Sequence, residues 1–575
     1  MAGNGKREDS AFGNRFAVWR AGLARPATGF VSQPEPRSIG LYARGKQLIA
    51  GNFVFAGHLV EAPGTRIWDI AMPDAGFATE AEGFGWLDDL AAVGDATARA
   101  RAQDWTWDWI ARNAQGRGRG WTPDLTGRRL IRWINHAFLL LSGRDAVQAA
   151  AYYRALTTQT VFLSRRWKRA APGLPRFEAL TGLIVAGLAL TGMDRLVGPA
   201  LAALAEDCRR EIDAEGGIPT RNPEELLEVF TLLIWVETAL TEAGQPIPPP
   251  LTAAKERVAP TLRALRHADG GLARFHGGGR GMEGRLEMAL ANARVKSIPG
   301  HGLLAMGFAR LSSGRTTVII DAASPPGGRA SGSAHASTLA FELTSGRRPV
   351  IVSCGSGGPF GADWRRAGRA TPSHSTLAID GYSSSRFDQG GKELLVDRAA
   401  VLSVQQSADL AGAHVSAAHN GWSLTHGLTH GRVLTLDSNG RRLTGTELLD
   451  SRTPTEQRRF VLLRGTGGPE GIGIAVRFHL HPDVDAKLDM GGSAVSMALK
   501  SGEIWVFRHD GRMKLGLEPS VFLEKGRLRP RGSLQIVLSG HATGFETRIG
   551  WTLAKAQDTP LAIRDLDRDD LPAQA

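Results

Sequence analysis

Apolar residues recur at three- and four-residue spacing through the first half of the chain and at alternate positions through the second. Helical periods cover 84–113, 124–142, 145–170, 176–191, 194–212, 223–243 and 250–267, with short turns marked by Gly, Pro or Asp between them. Helices joined this closely pair as antiparallel hairpins. Asn222-Pro223 is a start signal, because Asn can cap while Pro at the first helical position loses no needed hydrogen bond. Near residue 300 the period changes. Strands are expected at 316–321, 337–343, 348–353 and 503–507, and Asn439-Gly440 and Ser501-Gly502 are turn signals for antiparallel hairpins. The glycine-rich run 270–285 reads as the linker, with Arg274 and His276 free to face a cleft. Helices first and strands second predict a segregated α+β protein whose second half is an antiparallel β-sandwich. The expected divisions are a flexible segment over 1–45, a helical domain over 46–290, a β domain over 291–558 and a tail over 559–575.

A chain of 575 residues, 42% hydrophobic and 22% charged, is long enough for more than one core. Its 69 basic and 57 acidic residues give a net charge of +12, which suits an acidic polymer or reflects an arginine-rich composition. No basic block interleaved with aromatics, RNP-like strand or recognition helix points to nucleic acid, so an acidic polysaccharide ranks above it. Cys208 and Cys354 are the only cysteines, which excludes a disulfide framework and a cysteine-based zinc site. The first 26 residues lack an apolar run of signal-peptide length, and the most apolar helix, 180–192, is too short to span a bilayer. Read alone, this places the protein in the cytoplasm. P-loop, Rossmann, Gly-x-Ser-x-Gly and His-Glu-x-x-His motifs are all absent.

The segment 333–381 carries the densest chemistry. His335 and His374 stand at the starts of two short strands, joined by a loop bearing Trp364, Arg365, Arg366 and Arg369. Two imidazoles and several guanidiniums brought to one sheet edge, at the domain interface, would favour an anionic ligand. With "GGIPTRNPEELLEV" near 220 and "VRFHLHPDV" near 480, this segment resembles the heparinase II/III-like family of polysaccharide lyases in a divergent bacterial form. The resemblance covers about residues 85 to 555. It implies an incomplete α/α toroid followed by an antiparallel β domain, and a location in the periplasm or cell envelope. It also implies β-elimination at a uronic acid, in which one group neutralises the carboxylate, a base takes the C5 proton and an acid protonates the departing O4.

The chain departs from the family at the groups that carry that chemistry. The family's Arg-Ser-Pro-x-Tyr-His reads Arg221-Asn222-Pro223-Glu224-Glu225-Leu226, so its tyrosine is missing. Its Asn-His pair aligns with Phe177-Glu178, and its His-x-His with Ser333-Ala334-His335. Of Tyr42, Tyr152, Tyr153 and Tyr382, only Tyr382 lies near the motif histidines, as a phenolic base or a loop residue. Catalysis is then expected at Asn222, His335, His374 and Tyr382. Substrate binding is expected at Arg221, Arg365, Arg366, Arg369, His419 and Trp422. No cofactor is required; the resemblance admits a structural zinc on His335 and His374, its third ligand, an aspartate, corresponding here to Ser353 beside Cys354.

Other residues weigh toward structure. His430 follows His419 on strand ends, and His479 and His481 alternate on one strand face. Trp105, Trp107, Trp109, Trp121 and Trp133 stack on sugars or form core, and Asn135-His136 faces a cleft or closes an internal hydrogen bond. Two functions remain: a lyase acting on an acidic polysaccharide, or a catalytically inactive glycan-binding protein of the same fold.

Overall fold

The computed structural model describes residues 13–296, 304–379, 381–388, 390–466 and 471–558. The chain divides into two compact units: residues 1–213 with 228–256, and residues 214–227 with 257–575. The stretch 257–290, assigned by period to the helical half, therefore belongs with the strands, as does the segment around Arg221.

The first unit is helical. Its helices include Trp86–Val93, Ala96–Asn113, Pro123–Asn135, Ala146–Arg166, Leu174–Ala189 and Val197–Glu211. Asp95 and Asp145 cap two of them, each accepting from a backbone N–H three residues on. Pro123–Asn135 and Leu174–Ala189 cross where glycines meet: a Cβ on Gly182 would stand 2.4 Å from the Cα of Gly127. Such an approach requires both positions to lack a side chain. The tryptophans are core. Trp105, Trp109 and Trp133 are fully buried, and Arg129 lies 4.0 Å above the Trp109 ring. Asn135-His136 closes inward, with His136 Nε2 2.8 Å from Asp88 Oδ1.

Two features depart from expectation. The described part of the segment before residue 46 is built into this unit: Asn14 donates to Trp121 O and accepts from Arg166, while Val31 donates to Ala189 O. Its short apolar stretches gave no period long enough to read. A two-stranded hairpin, Asn52–Phe55 with His58–Glu61, also precedes the helical series and pairs only with itself.

The second unit carries two large antiparallel sheets. One runs in the order Val401–Ala408, Gly412–Trp422, Leu428–Asp437, Arg442–Asp450, Glu546–Gln557, Ile504–His509, Ala494–Ala498 and Asp485–Asp489. The other runs Lys514–Phe522, Arg531–Ala542, Ile472–Leu480, Arg348–Val352, Phe341–Ser345, Thr316–Asp321 and Phe308–Ser313, with Leu377–Ile379 added beside Ile472–Leu480. Both expected hairpins form: Asn439-Gly440 turns between paired Leu436 and Leu443, and Ser501-Gly502 between paired Ala498 and Ile504. Alternate residues of each sheet enter one shared core, where Phe341 stacks on Trp551 at 5.8 Å and Phe478 meets it edge-on. This is the expected β-sandwich. Among the described residues no helix is long and apolar enough to cross a membrane.

Candidate active site

His335 and His374 do come together, within the second unit. Their ring centroids are 5.2 Å apart, and His276, from the glycine-rich run, lies 6.4 Å from His335. Exposure of the three residues is 4%, 1% and 0%. Burial holds all three imidazoles well below the usual histidine range, with neighbouring imidazoles and guanidiniums adding to the effect. They are neutral rings shielded from solvent. His276 Nδ1 accepts from the backbone N–H of His335 at 3.2 Å, and His374 Nδ1 lies 3.0 Å from Ser353 Oγ. His276 Nε2, His335 Nδ1 and His374 Nε2 are buried without a hydrogen-bond partner among the described residues.

Asp321 and Arg221 form the charged floor of this cluster. Asp321 ends a strand and is fully buried; its Oδ1 accepts from Arg221 at 2.6 Å and its Oδ2 from Ser337 Oγ at 2.7 Å. The same guanidinium donates to the carbonyls of Met306, Gly307, Ala323 and Ser324. A buried pair of this kind contributes through complete satisfaction of both partners, since either one alone would be a stranded charge. Arg221 is therefore a structural clamp and not a substrate-binding group. The sequence motif could not show that its partner lies a hundred residues away.

The loop arginines are similarly committed. Arg369 is buried and donates to Ala334 O and Ser331 O at 2.8 Å each, which fixes the turn that carries His335. Burial pushes its guanidinium down to about 10. Arg365 pairs with Glu393 and donates to Gly332 O, and Arg366 packs over the Phe387 ring at 4.9 Å. Of the expected anion-binding arginines, Arg366 alone remains exposed without an ion pair among the described residues.

Asn222 caps its helix, its Oδ1 accepting from the N–H groups of Glu224 and Glu225 at 3.0 and 3.2 Å. That leaves the amide NH₂ as its only donor for a carboxylate. Tyr382 is 47% exposed and packs edge-on against His426. His419 and Trp422, expected to bind substrate, are fully buried. His419 instead belongs to a chain of polar groups inside the sandwich: His419 Nε2 to His430 Nδ1 at 3.3 Å, then His430 Nε2 to Glu447 at 2.8 Å. Arg432 and the Trp551 indole also donate to Glu447, whose carboxyl is driven down to about 2 despite burial. Glu447 and Arg432 escaped sequence reading because alternating strand residues give no hint that one pair faces inward. His479 is likewise structural, with Ser520 Oγ on Nδ1 and Pro372 O on Nε2, both at 2.8 Å.

Zinc can be tested against these residues. Two imidazoles present bare buried nitrogens, but the residue the resemblance puts at the third ligand is Ser353, and no three His, Cys, Asp or Glu among the described residues converge as a metal set. Cys354 does not replace the carboxylate: burial raises its thiol to about 11, and its sulfur lies 3.6 Å from His479 Nδ1. The set does not fit zinc. The helical unit holds Phe177-Glu178, the pair that the resemblance sets against the family's Asn-His. Glu178 is buried, bonded to Arg128 at 2.6 Å, and pushed up to about 7 by desolvation.

Comparison with known proteins agrees with this architecture. A family model described as heparinase II/III-like, C-terminal, matches residues 296–552. The chain is 30% identical over 573 residues to FtsZ-localized protein C of Caulobacter vibrioides, covering 97% of this chain and 95% of that protein. In fold it is similar to heparinase III (TM-score 0.66, 13% identity, 94% and 89% of the two chains). It is also similar to a mutant of the heparan sulfate lyase HepC from Pedobacter heparinus (TM-score 0.59, 14% identity, 97% and 90%).

Proposed function

The chain belongs to the heparinase II/III-like family, and from that premise we propose that it is a non-catalytic member that works as a binding protein where FtsZ assembles. The observation that carries the first half is the state of the histidines. Beta-elimination needs a base within hydrogen-bond reach of the C5 proton, with a protonation equilibrium near the working pH. His335 and His374 are almost without exposed surface and are held far below that range. The family's tyrosine is replaced around Glu225-Leu226, and of the arginines expected to neutralise a uronate, Arg221, Arg365 and Arg369 are spent on carbonyls and carboxylates while Arg366 stays exposed. On this reading the reaction lacks a histidine base and most of its carboxylate clamp.

Support for the second half is the near full-length similarity to a protein named for its localisation with FtsZ. On this reading the protein works in the compartment that contains FtsZ, and the periplasmic location implied by the lyases does not carry over. A net charge of +12 favours an acidic ligand, and heparan sulfate, the substrate in the name of a lyase similar in fold, is an acidic glycan. Two measurements test the proposal. Purified protein incubated with a panel of uronic-acid polymers should produce no rise in ultraviolet absorbance from unsaturated ends, and a fluorescent fusion should coincide with FtsZ in cells. Accumulation of unsaturated product would restore the lyase assignment; a diffuse fusion beside a sharp FtsZ signal would remove the localisation.

A further inference from the structure

A sheet edge is a row of unpaired backbone N–H and C=O groups, and soluble proteins blunt such edges with charge, proline, a short strand or a covering segment. The two large sheets have four edges, and three of them are blunted. Asp485–Asp489 is five residues long and carries Asp485, Lys487 and Asp489. Lys514–Phe522 holds Lys514, Glu518 and Pro519. Phe308–Ser313 carries Arg310, whose guanidinium donates to the carbonyls of Ala264 and Arg266.

The fourth edge, Val401–Ala408, has none of these protections. It runs for eight residues, and no charged residue, proline or glycine occurs from Ala399 to Ala408. Val404 packs on the core and the Gln406 amide donates inward to Arg310 O at 2.8 Å, so Ser403, Gln405 and Ser407 face outward, where they are exposed. Alternate residues of an antiparallel edge turn their N–H and C=O groups away from the neighbouring strand. Among the described residues, the backbone groups from 402 to 408 bond to nothing except Gly412–Trp422. Two large apolar side chains flank the strand: Leu402 at one end is 49% exposed, and Leu410, in the turn beyond the other, is 99% exposed.

We infer that Val401–Ala408 pairs with the same strand of a second copy of this chain, antiparallel about a two-fold axis at Gln405, joining two eight-stranded sheets into one. The strand is complementary to itself. Opposed residues of a continuous sheet point to the same side, so this axis sets Gln405 against its own copy, Ser403 against Ser407 and Val404 against Gln406. Uncharged polar pairs then meet on the outer face without repulsion. The axis also brings the partner's Leu402 to the end of the interface that carries Leu410, and does so twice. A charged strand from another protein would find no counter-charge on this edge. One strand pair with two leucine contacts falls below the ~1,200 Å² of a standard interface, so the dimer forms reversibly.

Sedimentation of the full chain over a range of concentrations should show monomers converting to dimers. Gln405→Lys and Gln405→Glu each place like charges across the axis, and each should weaken association about tenfold or more while leaving the melting temperature unchanged. Mixed in equal amounts, the two variants should pair again. A parent protein that stays monomeric at every concentration would overturn the inference, as would a dimer indifferent to both charges. Failure of the mixture to recover pairing would remove the axis from Gln405. If either charge variant fails to fold, cross-linking decides: Cys208 and Cys354 are buried, so Gln405→Cys adds the accessible thiol. A short bis-maleimide should join Gln405→Cys chains into covalent dimers and leave Ser416→Cys, one strand inward on the same face, as monomers. Equal yields from the two would overturn the pairing at this edge.

Discussion

Four imidazoles, those of His276, His335, His374 and His419, are fully buried and held well below the ordinary histidine range, mainly by desolvation. An unfolded chain has no such constraint and titrates near 6.5. Above that pH the rings are neutral in both states and contribute no pH dependence. As pH falls below it, the unfolded chain takes up protons that the folded chain refuses, so stability falls, by up to about 1.4 kcal/mol per pH unit for each ring. All four act in the same window, so their losses reinforce one another. Glu447 acts in a lower window. Its depressed carboxyl contributes stability that is complete above about 4.5 and is lost as pH falls toward about 2. Loss of stability should therefore begin near pH 6.5 and be governed by histidine, with a melting temperature that drops steeply from pH 7 to pH 5.5. A flat profile down to pH 5 would mean that these rings are charged in the folded protein. The sequence made His335 and His374 conspicuous in matching contexts, but both lie in turns, and the strands expected to open at them begin at Phe341 and Leu377. It could not show that Arg221 faces inward, because a guanidinium aimed at a ligand and one aimed at Asp321 leave the same trace in a chain.

Elements were legible where their periods were long. The helices from residue 84 onward and the two hairpins with Gly at their turns follow directly from spacing and from the positive φ those turns require, 70° at Gly440 and 79° at Gly502. The hairpin at Asn52–Glu61 and the packed N-terminal segment were not, since four-residue strands and isolated contacts do not establish a period. Helix crossing was also hidden. Glycine within a helix normally costs roughly 0.5–1 kcal/mol against alanine, so Gly127 and Gly182 read as weak points. Their contact reverses the sign. A Cβ on Gly182 would meet the Cα and carbonyl oxygen of Gly127 at 2.4 and 2.7 Å, backbone atoms that cannot turn aside. Overpacking of this kind typically costs about 1–3 kcal/mol and outweighs the propensity gain. Gly182→Ala should lower the melting temperature by several degrees. Gly198→Ala, on an exposed helix face with nothing within 4 Å of its Cβ, should leave it unchanged or raise it. Equal effects of the two would show that the crossing is looser than its geometry indicates.

At the scale of the molecule, the change of period near residue 300 and the boundary of the compact units are different events. Period reports local structure; the boundary reports where buried charges find their partners. Two carboxylates deep in the β-containing unit take partners from upstream of the change: Glu342 Oε2 meets His267 Nε2 at 3.0 Å and the Arg274 N–H at 3.2 Å, and Asp321 meets Arg221. A fragment beginning at 291, where the period alone would cut, keeps every strand of both large sheets and loses all three partners. Removing one partner from a buried pair costs about 3–5 kcal/mol, so losing two sets costs about 6–10, against a net domain stability of about 5–15. The 291–575 fragment should therefore show strand content by far-ultraviolet circular dichroism without a cooperative melt. A fragment from 214, which restores Arg221, His267, Arg274 and His276 together, should melt cooperatively. A sharp transition in the shorter fragment would mean that the two carboxylates find water or protons at little cost, and that the upstream segment decorates the sandwich without completing it.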